Sequence, residues 1–248
     1  MKNANKALKK LALRHGYDFT FRKLPTHTLR NRELKLERDL EPEFVEIFMQ
    51  VRDYTLTTPE CIYALWSGVR HLVEAGIGGD FVECGVYRGG SAMTIALTLQ
   101  QMGITDRNIW LYDTYAGMTE PTEHDVRLRD GTEQLTRWQM QQRTDDDGND
   151  WCLAPLPEVK ENMARTNYPA ELLHYIVGDV AETIPDQAPE NLALLRLDTD
   201  WYPSTLHELQ QLYPRLAAGG VLIIDDYGAY AGSRKATDEY FADNGPKP

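Results

Sequence analysis

Only three cysteines stand in the 248 residues, Cys61, Cys84 and Cys152, and no two of them form a CxxC pair. That scarcity argues against a disulfide-stapled secreted domain and against a thiolate zinc site, leaving three reduced, structural cysteines. The six histidines form no HxH or HExxH pattern, so any bound metal would take oxygen ligands. Basic residues are outnumbered, Lys+Arg 26 against Asp+Glu 38, and the net charge of −12 disfavours phosphate backbones and anionic lipid as partners. No apolar run approaches the ~20 residues of a membrane span, and no apolar segment with a small-residue cleavage site follows the early lysines. Internal repeats and low-complexity tracts are missing as well. The expectation is a cytoplasmic protein with no nucleic-acid and no membrane partner. What is present, 42% apolar and 10% aromatic residues, is enough for one well-packed domain.

Residues 1–56 read as a helical N-terminal extension without identifiable chemistry. It opens with Lys2, Lys6, Lys9, Lys10 and Arg14 interleaved with Leu8, Leu11 and Leu13, and ends on an apolar face of Phe44, Val45, Ile47 and Phe48. The main domain is assigned to residues 57–248. Pro59 after Thr57 or Thr58 marks a helix start, and Ile62, Leu65, Trp66, Val69 and Leu72 give it a core-facing stripe ending near Gly76. Five apolar strands follow, alternating with helical stretches: residues 81–84, 109–112, 174–177, 192–197 and 221–224. Each ends in an acid or a glycine turn. This order predicts an α/β fold, a mostly parallel sheet with helices on both faces, whose ligands bind at the carboxyl ends of the strands. Residues 118–167 are polar, with Trp138, Trp151 and the run Asp145-Asp146-Asp147; a connection of that length is a lid or a solvated insertion.

The turn Glu83-Cys84-Gly85-Val86-Tyr87-Arg88-Gly89-Gly90-Ser91 follows one strand and opens a helix, where backbone N–H groups can cradle an anionic group. Gly85 permits a sharp turn, and Gly89 and Gly90 permit close approach. The spacing is not GxGxxG, which disfavours NAD. Asp113, ending the next strand, is placed for ribose hydroxyls, and Asp179 for an adenine amino group. S-adenosylmethionine fits that set. Asp198 and the pair Asp225-Asp226 end neighbouring strands, so three carboxylates converge; a divalent cation relieves their repulsion, with Mg²⁺ favoured and Mn²⁺ or Ca²⁺ satisfying the same rule. Asp200, two residues beyond Asp198, points the same way if the chain stays extended and can act as general base toward a hydroxyl acidified by the metal; otherwise it caps the next helix.

These residues resemble the macrocin O-methyltransferase family of the TylF and MycF type, over roughly residues 55–241. The resemblance is carried by Val82 to Ser91, Tyr112-Asp113-Thr114-Tyr115-Ala116-Gly117-Met118, Arg196-Leu197-Asp198-Thr199-Asp200, Tyr213-Pro214-Arg215-Leu216 and Gly219 to Tyr227. It implies a Rossmann-like class I methyltransferase that uses S-adenosylmethionine on a sugar or polyol hydroxyl. It also implies Mg²⁺ at Asp198, Asp225 and Asp226, and a base at Asp200. Cofactor contacts are implied from the loop of Glu83, Gly85, Tyr87, Arg88, Gly89 and Ser91, and from Asp113 with Thr114. The C-terminal antiparallel hairpin usual in this class is missing, because only seven residues, ending in Asn244-Gly245-Pro246-Lys247-Pro248, follow the helix expected over 234–241. Either the chain is a shortened version, or the edge of its last parallel strand is covered by another element or a subunit, as in a homodimer or higher homo-oligomer. Two other readings remain open: a catechol or phenol O-methyltransferase with Trp138, Trp151 or Trp201 forming a flat slot, and a non-catalytic binder of an adenosine ligand.

Overall fold

A computed structural model describes residues 40–144 and 148–244. The basic helix expected near the N-terminus and the acid run at 145–147 lie outside the described residues. Helix α1 (Pro42–Val51) buries Phe44, Ile47, Phe48 and Val51, and α2 (Pro59–Glu74) buries the five predicted positions from Ile62 to Leu72. Thr58 caps α2 by accepting from the Cys61 N–H at 3.4 Å. The Phe44 ring meets Tyr63 edge-on at 5.1 Å and lies 5.6 Å from Trp66, so α1 shares the main core and the packing shows no break at residue 56.

Strand β1 (Asp80–Cys84) leads into α3 (Gly90–Gln101) and β2 (Ile109–Asp113). The insertion that follows carries the antiparallel pair β3 (Val126–Arg127) and β4 (Thr132–Glu133), then the short helix α4 (Leu135–Gln139). Helix α5 (Leu156–Ala164), assigned to the insertion from its sequence, buries Val159 and Met163 in the main core instead. The chain continues through β5 (Leu173–Val177), α6 (Val180–Thr183), β6 (Leu192–Leu197), α7 (Tyr202–Leu212), β7 (Leu216–Ile224) and α8 (Ala231–Asn244).

The main sheet is parallel, in the order β5-β2-β1-β6-β7. Its central strands β2, β1 and β6 are largely buried, with helices on both faces, which is why they read as continuous apolar runs. Phe81, Ile109 and Leu111 pack toward α1, α2, α3 and α5, while Val82, Cys84, Tyr112 and Leu195 pack toward α7 and α8. β7 starts five residues earlier than predicted. Its glycine pair does not end the strand: Gly219, at φ 80°, lets the pairing with β6 slip and then resume. No antiparallel strand joins this sheet among the described residues, and no described helix is long and apolar enough to cross a membrane. The chain runs outward from β1 through β2 to β5, then returns to β6 on the other side. The crevice between β1 and β6 is therefore where such a sheet opens to ligand.

Candidate active site

Gly85 and Asp198 meet at that crevice. The Asp198 N–H donates to the Cys84 carbonyl at 2.8 Å, and a Cβ on Gly85, whose φ is +85°, would overlap the Asp198 carbonyl. Only glycine fits there. Around this contact lies a cavity of about 340 Å³, walled by Gly85, Tyr87, Ser91 and Asp113, by the acids Asp198, Asp200, Asp225 and Asp226, and by Arg137, Trp151, Cys152 and Tyr230. A smaller cavity of about 60 Å³ shares Gly85, Asp113 and Asp198 with it and extends to Thr114, Gly178 and Asp179.

Of the predicted cofactor residues, Gly85, Tyr87, Ser91, Asp113, Thr114 and Asp179 line these two cavities, whereas Glu83, Arg88 and Gly89 do not. Arg88 ties Glu158 at 2.6 Å and the Asp53 carbonyl at 2.8 Å, bracing the loop from outside. Gly89 stands at φ 91°, with Val159 and Met163 at ordinary contact distance, and the space at Gly90 is filled by Tyr54 and Thr55, so Gly90 makes room for protein. Asp113 holds the loop itself. One carboxylate oxygen accepts from the Val86 and Tyr87 N–H groups at 2.7 and 3.0 Å, and the other from the Tyr115 N–H at 2.7 Å. Burial raises its pKa, and those backbone donors oppose the rise. Asp179 caps α6, accepting from the Ala181 N–H at 2.8 Å.

Arg196, fully buried on β6, organises the acids. Its Nη1 donates to Glu83 at 2.8 Å and to Asp198 at 2.7 Å; its Nη2 donates to Asp225 at 2.7 Å and to Thr57 at 3.2 Å. Glu83 and Arg196 are partners in the β1–β6 register, so the sheet sets them side by side. Burial raises Glu83 to about 7 against the pull of Arg196, and its Oε2 has no hydrogen-bond partner.

Asp225 thus faces Arg196. The acids that do gather are Asp198, Asp200 and Asp226, each offering an oxygen, all within 4.8 Å of one another. Asp200 thus joins two of the predicted acids in the cluster, while Asp225 lines the same cavity and accepts from Arg196. The chain is not extended at Asp200, which stands at φ 66° in the left-handed region, and Asp200 does not cap α7, whose first N–H, that of Tyr202, is taken by Asp125 instead. Burial, followed by the Asp200 charge, pushes Asp226 well upward, and Asp226 Oδ2 is buried without a donor. Asp198 is likewise raised by burial and by its acidic neighbours against Arg196. Asp200 rises to about 7, mainly through burial. An oxygen-only donor set with an orphaned buried oxygen fits a hard divalent cation.

Sequence reasoning missed several contributors. Thr57 and the Tyr54 to Leu56 stretch of the supposed chemistry-free extension form part of the wall. Glu208 on α7 is buried beneath the acidic loop and accepts from the Thr199 hydroxyl at 3.0 Å; its place on the buried face of an otherwise apolar stripe was the available signal. The insertion supplies Arg137, Trp151 and Cys152. Trp151 and Trp201 cross at 72° with centroids 5.5 Å apart and form no flat slot between them.

Residues 49–247 match the macrocin O-methyltransferase (TylF) family. The chain belongs to that family. Its relatives include an 8-demethyl-8-(2,3-dimethoxy-alpha-L-rhamnosyl)-tetracenomycin-C 4'-O-methyltransferase of Streptomyces olivaceus, 32% identical over 69% of this chain and 61% of that one. Another is a mycinamicin III 3''-O-methyltransferase of Micromonospora griseorubida, 31% identical over 70% of this chain and 66% of that one. The chain thus spans slightly under two thirds of the length of these TylF relatives. The solved structure of the O-methyltransferase NovP superposes with a TM-score of 0.66 at 27% identity, covering 77% of this chain and 74% of that one.

Proposed function

We propose that this TylF-family chain transfers a methyl group from S-adenosylmethionine to a hydroxyl of a sugar or polyol-bearing natural product, with Mg²⁺ at the carboxylate cluster. The observation that carries the reading is the meeting of Asp198, Asp200 and Asp226 beside the Gly85 loop at the sheet's switch point. The relatives' names, O-methyltransferases of a rhamnosyl tetracenomycin and of mycinamicin III, support a glycosylated acceptor.

Gly85, Tyr87, Ser91, Asp113, Thr114 and Asp179 would hold the cofactor, and Asp198 and Asp226 would hold the cation, with Asp200 beside them. When bound, the cofactor supplies an electrophilic methyl on a sulfonium, and the cation supplies positive charge that lowers the pKa of a neighbouring hydroxyl. The chain's own work is orientation and proton removal. Arg196 fixes Asp198 from behind, so one edge of that carboxylate stays turned to the cavity. Asp200 would accept the proton of the acceptor hydroxyl on a carboxylate oxygen, as a general base positioned beside Asp198 and Asp226. Trp151, which is buried, and the half-buried Tyr230 would limit water at the reacting oxygen.

Calorimetric titration with S-adenosylmethionine, with and without Mg²⁺, tests the reading. Binding of the cofactor, and of Mg²⁺ at a site abolished by Asp226→Asn, is expected. Failure to bind the cofactor would remove the enzyme reading in favour of a binder of another ligand, and cofactor binding without a metal site would remove the mechanism.

A further inference from the structure

Arg137 of α4 lines the larger cavity together with the acids. Its guanidinium carbon lies 3.8 Å over the ring of Trp151, which is 2% exposed and braced edge-on by Trp201. Stacking of this kind covers one flat face of a guanidinium and leaves its N–H edges free. Those edges have no taker in the protein: among the described residues the Arg137 side chain makes no hydrogen bond and no ion pair, although five carboxylates wall the same cavity. Arg196 is the contrast, with its donors consumed by three acids and a threonine. A half-buried cation held rigid on an indole, with five donors unspent, is built for an oxyanion brought from outside.

We propose that Arg137 is an anchoring residue for an anionic group on the acceptor, a carboxylate or a phosphoryl group, gripped by two parallel N–H···O bonds while the acceptor's hydroxyl faces the acids. The inference rests on the acceptor cavity assigned above. It sharpens the acceptor class: a cavity walled by carboxylates alone repels such a molecule, and Arg137 supplies the local complement. A bare counter-charge for Asp200 would not need its donors left open or its plane fixed by Trp151.

The test uses the full chain loaded with Mg²⁺, titrated calorimetrically with methyl glucoside, methyl glucuronide and methyl glucoside 6-phosphate, each with and without S-adenosylhomocysteine. The expected result is at least tenfold tighter binding of one or both anionic probes than of the neutral one. That preference should vanish in Arg137→Gln and be partly kept in Arg137→Lys, with S-adenosylhomocysteine binding unchanged in both variants. The stronger anionic probe identifies the group as carboxylate or phosphoryl. Equal affinity for all three probes, no binding of either anion, or a preference that survives Arg137→Gln would overturn the proposal. Anion preference without any binding of S-adenosylhomocysteine would keep this site and sink the methyl-transfer reading, so the two fail separately.

Discussion

Replacing Arg196 by Met removes the cation from a buried cluster while keeping roughly its length and apolar stem. Glu83, Asp198 and Asp225, with side-chain exposures of 1%, 25% and 18%, then lose their shared partner, and the Thr57 hydroxyl loses its donor. Breaking one side of a buried ion pair costs about 3–5 kcal/mol, because charge is left without compensation. For a chain of this size each kcal/mol lowers Tm by roughly 2–4 °C, so Arg196→Met should melt about 6–20 °C below the parent in metal-free buffer at pH 8. Circular dichroism melts at several pH values make the prediction sharper. The orphaned carboxyls can be protonated in acid, so the deficit should shrink at pH 5.5. The double variant Glu83→Gln with Arg196→Met should recover part of it at pH 8, since the most deeply buried negative charge is gone. A single variant melting within 2 °C of the parent at pH 8, or a deficit insensitive to both pH and Glu83→Gln, would refute the ion cluster as described.

Three further outcomes are expected. Glu83 rises from 4.5 to about 7 and Asp200 from 3.8 to about 7, so between those limits the folded state holds more protons than the unfolded one. Stability of the metal-free protein should therefore be greatest near pH 5 and fall as pH rises through 7, which urea titrations across that range would reveal as a declining midpoint. Asp200→Asn should keep cofactor binding yet lose methyl transfer by a factor of about 100 or more, measured as S-adenosylhomocysteine released; unchanged turnover would end its assignment as base. Asp125 is fully buried and accepts from the Thr122 N–H and hydroxyl and from the Tyr202 N–H at 2.7, 2.8 and 2.8 Å. Asp125→Ala should cost about 1–3 kcal/mol by chemical denaturation, with a loss below a few tenths showing that those donors find other partners.

The sheet was legible because its signals are local. Each strand is a short apolar run closed by an acid or a glycine, and the stripe from Ile62 to Leu72 carries its own period; the observed strand and helix lie where those patterns put them. The acids at the strand ends were legible for the same reason. The division of labour among them was not, since it depends on Arg196, whose partners Glu83, Asp225 and Thr57 stand 113, 29 and 139 residues away. No window of sequence shows that Asp225 is engaged from behind, or that a left-handed turn swings Asp200 into the cluster. The wall formed by Tyr54 to Thr57 escaped notice because its contacts are made by a loop packed against the start of α3, a placement that composition does not encode. Asp113 has a further task that its place at a strand end does not show: its oxygens accept from three backbone N–H groups of the neighbouring turns.

Trp151, Trp201 and Tyr230 come from three separate stretches of chain, and their rings touch edge to face at 5.5 and 5.3 Å. The cavity therefore contains its own chromophore. Trp151 forms part of its wall with a guanidinium lying on the indole, while Trp201, 1% exposed, donates its indole N–H to the Thr119 carbonyl at 2.9 Å. A molecule that draws Arg137 off that ring, or displaces solvent from its edge, alters the surroundings of an emitter that is already almost dry. Occupancy of this side of the cavity can be followed by intrinsic fluorescence, with no label attached and without any turnover.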